Sequence, residues 1–368
     1  MKRWPATRFL PFLLILLLVG PLSAQEQQQP ETKTFTDVHV WANTPVKDQA
    51  RTGTCWCFSA ISFLESEILR QGGPEYNLSE MFVVNHMYRE KAQYYVRLHG
   101  SNNFGPGGLG HDVFRAIQDY GIVREEDYPG LWDYETHHDH SELQRVLSGY
   151  LDGVLAGRGP TPKWEAGFDA ALDAYLGKLP EQINVDGRTV TPKQFASDVL
   201  HLDMSPYVEI TSFSHMPFYQ QGALLVPDNW VRDENTWNLP VDDVMEILKN
   251  ALDNGYTVVY GGDVSERSFD QNKGWADWRE GETVTQADRQ KNWDNWTTSD
   301  DHGMHIVGIA RDESGNTYYK VKNSWGTGAG PYGGYIYMSE NFIRAKFDLI
   351  TVHKDAIPAA IQAKMGLH

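Results

Sequence analysis

Cysteine is nearly absent from this chain. Its 368 residues include two, Cys55 and Cys57. They stand two positions apart, a poor spacing for a bridge on a helix, where such side chains point to different faces. A disulfide scaffold is therefore excluded, and the thiols are left for packing or for chemistry. Basic charge is also scarce. Against 49 Asp and Glu there are 32 Lys and Arg, for a formal net charge of −17. That balance offers no electrostatic footprint for nucleic acid or anionic lipid. Long apolar runs are missing apart from Phe9–Val19, which is too short for a comfortable membrane span. No internal repeat is visible.

Lys2, Arg3 and Arg8 precede that apolar run, and a Gly-Pro break and small residues follow it up to Ala24. The pattern is that of a secretory signal cut near Ala24. It predicts an exported protein, periplasmic or extracellular, with no integral membrane span once the signal is removed. An uncleaved N-terminal anchor is the alternative.

Aromatic residues are plentiful, with 12 Trp, which suits a large core and substrate clefts. Residues 25–37 are polar and read as a flexible lead, with ordered chain from near Val38. The apolar positions Phe58, Ile61, Phe63, Leu64 and Ile68 mark a helix, with Thr54 as its N-cap and Gly72-Gly73-Pro74 as its stop. A second helix follows Ser79, and a third is closed by Gly121. The stretch 131–240 is mixed: helical patterns near 141–155 and 163–177, a strand-like piece near 183–190, and a helix from about 192. An amphipathic helix at 241–255 leads into the strand-like YTVVYGGDV. Residues 265–300 read as a long loop, and three β segments follow. The order, helical then β, predicts an α+β protein with segregated halves.

A thiol becomes a good nucleophile when a helix N-terminus or an imidazolium favours its thiolate, with the pKa lowered to roughly 3.5–7.5. Cys55 opens a helix just after a Gly-Thr turn, whereas Cys57 lies one step further in. A lone cysteine is more often a small buried hydrophobe. Here the neighbours in sequence argue otherwise.

The segment TPVKDQARTGTCWCFSA resembles the nucleophile segment of papain-like cysteine peptidases. Gln49 stands six residues before Cys55, and Trp56, Phe58 and Ser59 follow in the family's order. DHGMHIVGIA and VKNSWG resemble the family's histidine and asparagine motifs. The resemblance implies Cys55 as nucleophile, His302 as base and Asn323 as the group that orients the His302 ring, with Trp325 covering that bond from water. Gln49 and the Cys55 backbone N–H would hold the oxyanion, such donors each lowering a barrier by roughly 3–4 kcal/mol. His305 is expected to be a strand residue with a packing or surface role. GPGGLGHDVFRAIQDYGIVREEDYP resembles the family's Gly-Gly loop, helix and Tyr-Pro turn. It makes Gly107 and Gly108 candidates for pairing with an extended substrate, glycine allowing close backbone approach.

About twenty residues separate Ala24 from Pro45, and the interval from Cys55 to His302 is long. Both features resemble the bleomycin hydrolase / aminopeptidase C branch, as do TPKQFASDVL and ALDNGYTVVYGGDV. The resemblance implies a two-lobed papain-like fold, with a helical lobe over 38–130, a large insertion over 131–240 and an antiparallel, barrel-like β lobe over 241–368. It implies peptide substrates, an aminopeptidase, no metal and no organic cofactor, and it leaves a homo-oligomer open. In that branch the C-terminal tail lies in the cleft and its carboxylate holds the substrate amine. The ending VHKDAIPAAIQAKMGLH departs from the branch's small apolar tail. The alternatives are an endopeptidase of the same fold, a transferase using the same thioester, and a non-catalytic binding protein. His137, His138 and His140 read as an exposed polar turn rather than a metal site. Asp300 and Asp301 either perturb His302 or are loop residues. The tryptophans at 275, 278, 293 and 296 either line a substrate face or pack a core.

Overall fold

The computed structural model describes residues 33–132, 135–278 and 282–367. The expected signal segment and its cut lie outside them. Thr34–His368 form one compact unit. Its elements, in chain order, are β1 (Phe35–Val40), α1 (Cys55–Arg70), α2 (Glu80–Arg97), α3 (Gly110–Tyr120), α4 (Ser141–Leu155), α5 (Trp164–Leu176), β2 (Ile183–Val185), β3 (Arg188–Val190) and α6 (Pro192–Gln194). Next come β4 (Tyr207–Thr211), β5 (Gln220–Gly222), β6 (Thr236–Asn238), α7 (Val241–Asp253), β7 (Val258–Gly262), β8 (Phe269–Asp270), β9 (Trp275–Ala276) and α8 (Gln286–Asp294). The chain closes with β10 (His302–Asp312), β11 (Thr317–Lys322), β12 (Tyr335–Ser339), α9 (Glu340–Lys346), β13 (Phe347–His353) and α10 (Ala359–Met365). No helix among the described residues is long and apolar enough to cross a membrane.

Helix α1 is buried without interruption from Trp56 to Ile68, so it runs through the interior rather than along a surface. Fully buried side chains such as Phe63 and Leu64 contribute roughly 1.5–3 kcal/mol each. The carboxylates it carries inside are held, although the Ser66 hydroxyl has no hydrogen-bond partner. Glu65 accepts from the Leu78 N–H at 2.9 Å and pairs with Lys47 at 3.4 Å. Helices α2 to α5 join α1 in one apolar core through Phe82, Val113, Leu147 and Phe168. Helix α2 starts where the Ser79 hydroxyl accepts the Phe82 N–H at 3.0 Å. At the end of α3, Gly121 has φ 81°, and a Cβ there would collide with the Pro192 backbone.

A second core lies on the sheet, between β7, β10, β11, β13 and α7. The sheet runs β5-β6-β4-β13-β7-β10-β11-β12-β9-β8, with β1 paired to β10. Its central pairs are antiparallel, while β4–β6 and β9–β12 are parallel. The segment 131–240 is divided: α4 and α5 extend the helical core, and β4 to β6 extend the sheet. The α+β, papain-like architecture expected from the sequence is the one found.

Two local expectations are corrected. Ordered chain begins earlier than Val38, because β1 pairs from Phe35 with Asp312 of β10, so the expected flexible lead over 25–37 ends in a strand. The stretch 265–300 contains two short strands and α8 rather than only loop. Helix α8 has no apolar stripe. It buries Arg289 and Asn292, so its sequence carries no hydrophobic period. Its start is fixed by Thr285 and Asp288, which cap each other's backbone. Of the four tryptophans from 275 to 296, Trp275 packs with Tyr318 and Tyr337, Trp293 lies 4.3 Å from the Phe213 ring, and Trp296 is exposed.

Candidate active site

Cys55 is the first residue of α1. Thr54 occupies the N-cap position as expected, but its side chain does not cap. Its hydroxyl pairs with that of Thr52 at 2.6 Å. The Cys57 and Phe58 N–H groups turn to the Thr54 carbonyl at 2.9 and 3.2 Å. The first N–H groups of a helix have no intrahelical acceptor. With no side-chain cap on them, they can face the cleft.

Strand β10 brings His302 to this helix end. Gly303 makes the approach feasible: a Cβ there would stand 2.8 Å from Ser59 Oγ and 3.1 Å from Trp56 Cα. The strand thus packs directly on the first turn of α1. Cys55 and His302 line the same cleft, which holds about 690 Å³ of empty space together with Gln49, Trp56, Gly107 and Gly108.

The His302 ring is held by neutral groups. Its Nε2–H donates to Asn323 Oδ1 at 2.8 Å, which leaves Nδ1 unprotonated to receive a proton. Asn323 follows β11, and its amide cannot turn over. Oδ1 also accepts the Ser324 N–H at 2.8 Å, and Nδ2 donates to Gln271 Oε1 at 3.0 Å. Gln271 is anchored in turn by the carbonyls of Ala329 and Tyr335, at 3.2 and 3.3 Å. The Trp325 ring stands 4.9 Å from the His302 ring. Gln49 is fixed in the same manner: its Oε1 accepts the Ser324 hydroxyl at 2.5 Å and its backbone N–H donates to the Ser324 carbonyl at 2.8 Å. The side-chain oxygen being occupied, Nε2 is the end left to donate into the cleft.

Burial governs the charges. Desolvation pushes the Cys55 thiol up to about 12, against the backbone N–H groups of Gly303 and Trp56, which favour the thiolate. Burial likewise pushes His302 down to about 4, opposed by its bond to Asn323. Each group alone is held uncharged. A proton passed from sulfur to Nδ1 creates two opposite charges that stabilise one another. Asp300 raises the Cys55 thiol, as does Asp228.

The remaining candidates separate. Gly108 lies under the Trp56 ring, where a Cβ would come within 3.0 Å, and its neighbour Gly107 is covered by the Asp228 carboxylate. The Gly107 carbonyl accepts from the buried Lys91 ammonium, so it is turned away from any substrate. Cys57 is wholly buried, with its thiol on the Glu80 carbonyl at 3.5 Å. His305 is buried with Nδ1 2.9 Å from Ser62 Oγ, a packing position. His138 and His140 are buried rather than exposed, and no group of metal-binding type is found among the described residues. Sequence reasoning missed Gln271, Ser324, Asp228 and Asp348. Ser324 could have been noticed inside the asparagine motif, whereas Gln271 sits in a stretch with no pattern of its own.

A family model described as the peptidase C1-like family matches residues 181–367, half of the chain, and the papain family cysteine protease model matches residues 31–154. The chain belongs to the peptidase C1-like family. Cathepsin L1 of Drosophila melanogaster is 26% identical over 82% of this chain and 52% of its own. Aminopeptidase C of Lactobacillus delbrueckii subsp. lactis is 24% identical over 81% of this chain and 76% of its own. The chain thus spans about half the length of the cathepsin and more of the aminopeptidase. The crystal structure of PepW from Lactobacillus rhamnosis superposes with a TM-score of 0.74 at 20% identity, covering 90% of this chain and 84% of that one. Both resemblances read from the sequence, to papain-like peptidases at large and to the aminopeptidase C branch, are found again.

Proposed function

We propose that this family member is a cysteine-type peptidase that hydrolyses peptide bonds through a thioester and acts as an aminopeptidase. The observation that carries the reading is the Asn323-held imidazole of His302 in one cleft with a helix-opening Cys55. In the reaction, the Cys55 thiol gives its proton to His302 Nδ1 as sulfur bonds to the substrate carbonyl carbon. The carbonyl oxygen becomes an oxyanion between Gln49 Nε2 and the Cys55 N–H. His302 passes the proton to the leaving nitrogen, the C–N bond breaks and the acyl group stays on sulfur. Water then attacks the thioester carbon and gives a proton to His302. The C–S bond breaks, and the proton returns to sulfur.

The exopeptidase half of the reading is favoured by the aminopeptidase C relatives. Its test is one peptide with a free or an acetylated N-terminus; equal cleavage of both leaves an endopeptidase. Helix α10 packs Ile361 and Met365 into the sheet-side core, and Lys364 pairs with Asp243 at 3.0 Å. Among the described residues, those that line the cleft end at Thr351. We also propose export, with a signal cut near Ala24. N-terminal sequencing of the mature chain from a secreting host checks it, and an intact Met1 would refute it.

A further inference from the structure

The cleft lining contains Asp228, Asp300 and Asp301 beside Cys55 and His302, and no lysine or arginine among the described residues. Two of these carboxylates are fixed in place. Asp228 sits on the segment Leu224–Asp233, which is tied down at several points. Asn229 Nδ2 donates to the Leu224 and Asp233 carbonyls, each at 3.0 Å, and the Trp230 indole N–H donates to Asp112 Oδ2 at 2.9 Å. Asn103 Nδ2 holds one oxygen of Asp228 at 3.0 Å. The other oxygen lies over Gly107, where a Cβ would collide with it, so the carboxylate reaches the backbone of the cleft wall. Lys91 is the nearest counter-charge. Its ammonium donates to the Gly105 and Gly107 carbonyls and is shared electrostatically between Asp112 and Asp228.

Asp300 is backed by Asp348, and their carboxyls lie against each other. Asp348 is fully buried, its carboxyl hydrogen-bonded to that of Asp300 and to the Leu349 backbone N–H. It fills the place of a side chain on the cleft residue Gly261, with Oδ1 2.8 Å from where a Cβ would stand. The buried cation of Arg289 lies in the field of Asp348, but its hydrogen bonds go to the carbonyls of Ser212, Arg344 and Phe347. Buried carboxyls are costly unless they are protonated or meet a cation. Desolvation raises both Asp228 and Asp300, the latter to about 7; Lys91 opposes the shift at Asp228, and the charge of Asp228 adds to it at Asp300. A cation in the cleft would favour the ionised forms of Asp228 and Asp300, and the empty space beside them is where it fits.

We propose that Asp228 and Asp300, with Asp348 behind, form a subsite that holds an ammonium group of the substrate and so decide which peptides are cleaved. The group is either the free N-terminal amine or a basic side chain. Only the choice between these two rests on the aminopeptidase reading. A bound ammonium would also offset the two carboxylates that add to desolvation in raising the Cys55 thiol.

The test uses the whole chain and four peptides: a free or acetylated N-terminus, crossed with lysine or norleucine as the first residue. Asp228→Asn and Asp300→Asn are compared with the parent by kcat/KM, with melting curves to confirm folding. A charge-assisted hydrogen bond predicts a fall of about tenfold to a hundredfold in one discrimination ratio. A fall in the free-over-acetylated ratio assigns the subsite to the N-terminal amine. A fall in the lysine-over-norleucine ratio assigns it to a side chain. If both ratios stay at parental values in both variants, or all four peptides lose rate equally, the subsite does not exist. A parent that cleaves free and acetylated peptides equally, yet prefers lysine through Asp228, defeats the aminopeptidase reading and keeps the subsite. Calorimetric binding of the same peptides to Cys55→Ala protein gives the same ratios without turnover.

Discussion

The cleft is furnished by two sets of side chains built on opposite electrostatic plans. Around His302 the partners are neutral: Asn323, Gln271, Ser324 and Gln49 form a hydrogen-bonded chain of amides and a hydroxyl that leaves Gln49 Nε2 for the oxyanion. Around Asp228 and Asp300 the groups are acidic, and Asp300 and Asp348 lie carboxyl against carboxyl. A network of neutral dipoles fixes geometry. An acidic set favours a substrate that brings positive charge. One part of the cleft is thus prepared for chemistry, the other for selection.

Removing the nucleophile makes the largest break in that contrast. Cys55→Ala is expected to lower turnover by at least about a thousandfold. Cys57→Ser, at a buried thiol bonded to a carbonyl, is expected to keep most activity and to lose about 1 kcal/mol of stability. Steady-state rates and denaturant melts on the two proteins check this. A dead Cys57→Ser enzyme with an active Cys55→Ala enzyme would reverse the assignment.

The neutral network is sharpened at Gln271, which touches no reacting atom. Gln271→Met, lacking the acceptor for Asn323, is expected to lower kcat about tenfold and to shift the pH–rate profile, with KM little changed. Gln271→Glu keeps an oxygen acceptor and should recover most of the loss. Equal damage by both would mean that Gln271 acts on packing alone.

Next comes the C-terminal helix. Because Ile361 and Met365 are buried in the sheet-side core, deleting residues 359–368 should lower the melting temperature by several degrees. It should leave the preference between free and acetylated peptides unchanged. Endopeptidase activity released by that deletion would place the tail in the cleft.

The smallest effect lies in stability against pH. The folded state raises Asp300 above its ordinary value, to about 7. A carboxyl with a raised folded pKa supports the fold at pH values below its unfolded pKa, near 4, and that support is lost as pH rises through the folded value. Asp300→Asn should therefore melt a few degrees above the parent at pH 8, with the gain shrinking toward pH 4. Melting curves across that range check it; a gain that grows toward acid would contradict the sign.

The catalytic set was legible because each member lies inside a short motif whose residue types follow from its chemistry. Cys55 at a helix start and Gln49 six residues before it can be read without knowing where the chain goes. The acidic set was only half legible. Asp300 was visible beside His302, but Asp228 and Asp348 come from distant segments with no local pattern. Helix α8 escaped because it buries Arg289 and Asn292 rather than an apolar stripe.

The sequence by itself determined the α+β order of elements, the order of the nucleophile, base and orienting residues, and which cysteine opens a helix, since these depend on local propensity and on residue chemistry. Only the tertiary structure decided that Thr54 leaves the helix end uncapped, that Ser324 and Gln271 hold the amides, that α10 stays out of the cleft and that three carboxyls converge on it. Those outcomes depend on which distant segments the packing brings within hydrogen-bonding range, and no local pattern in the chain records that.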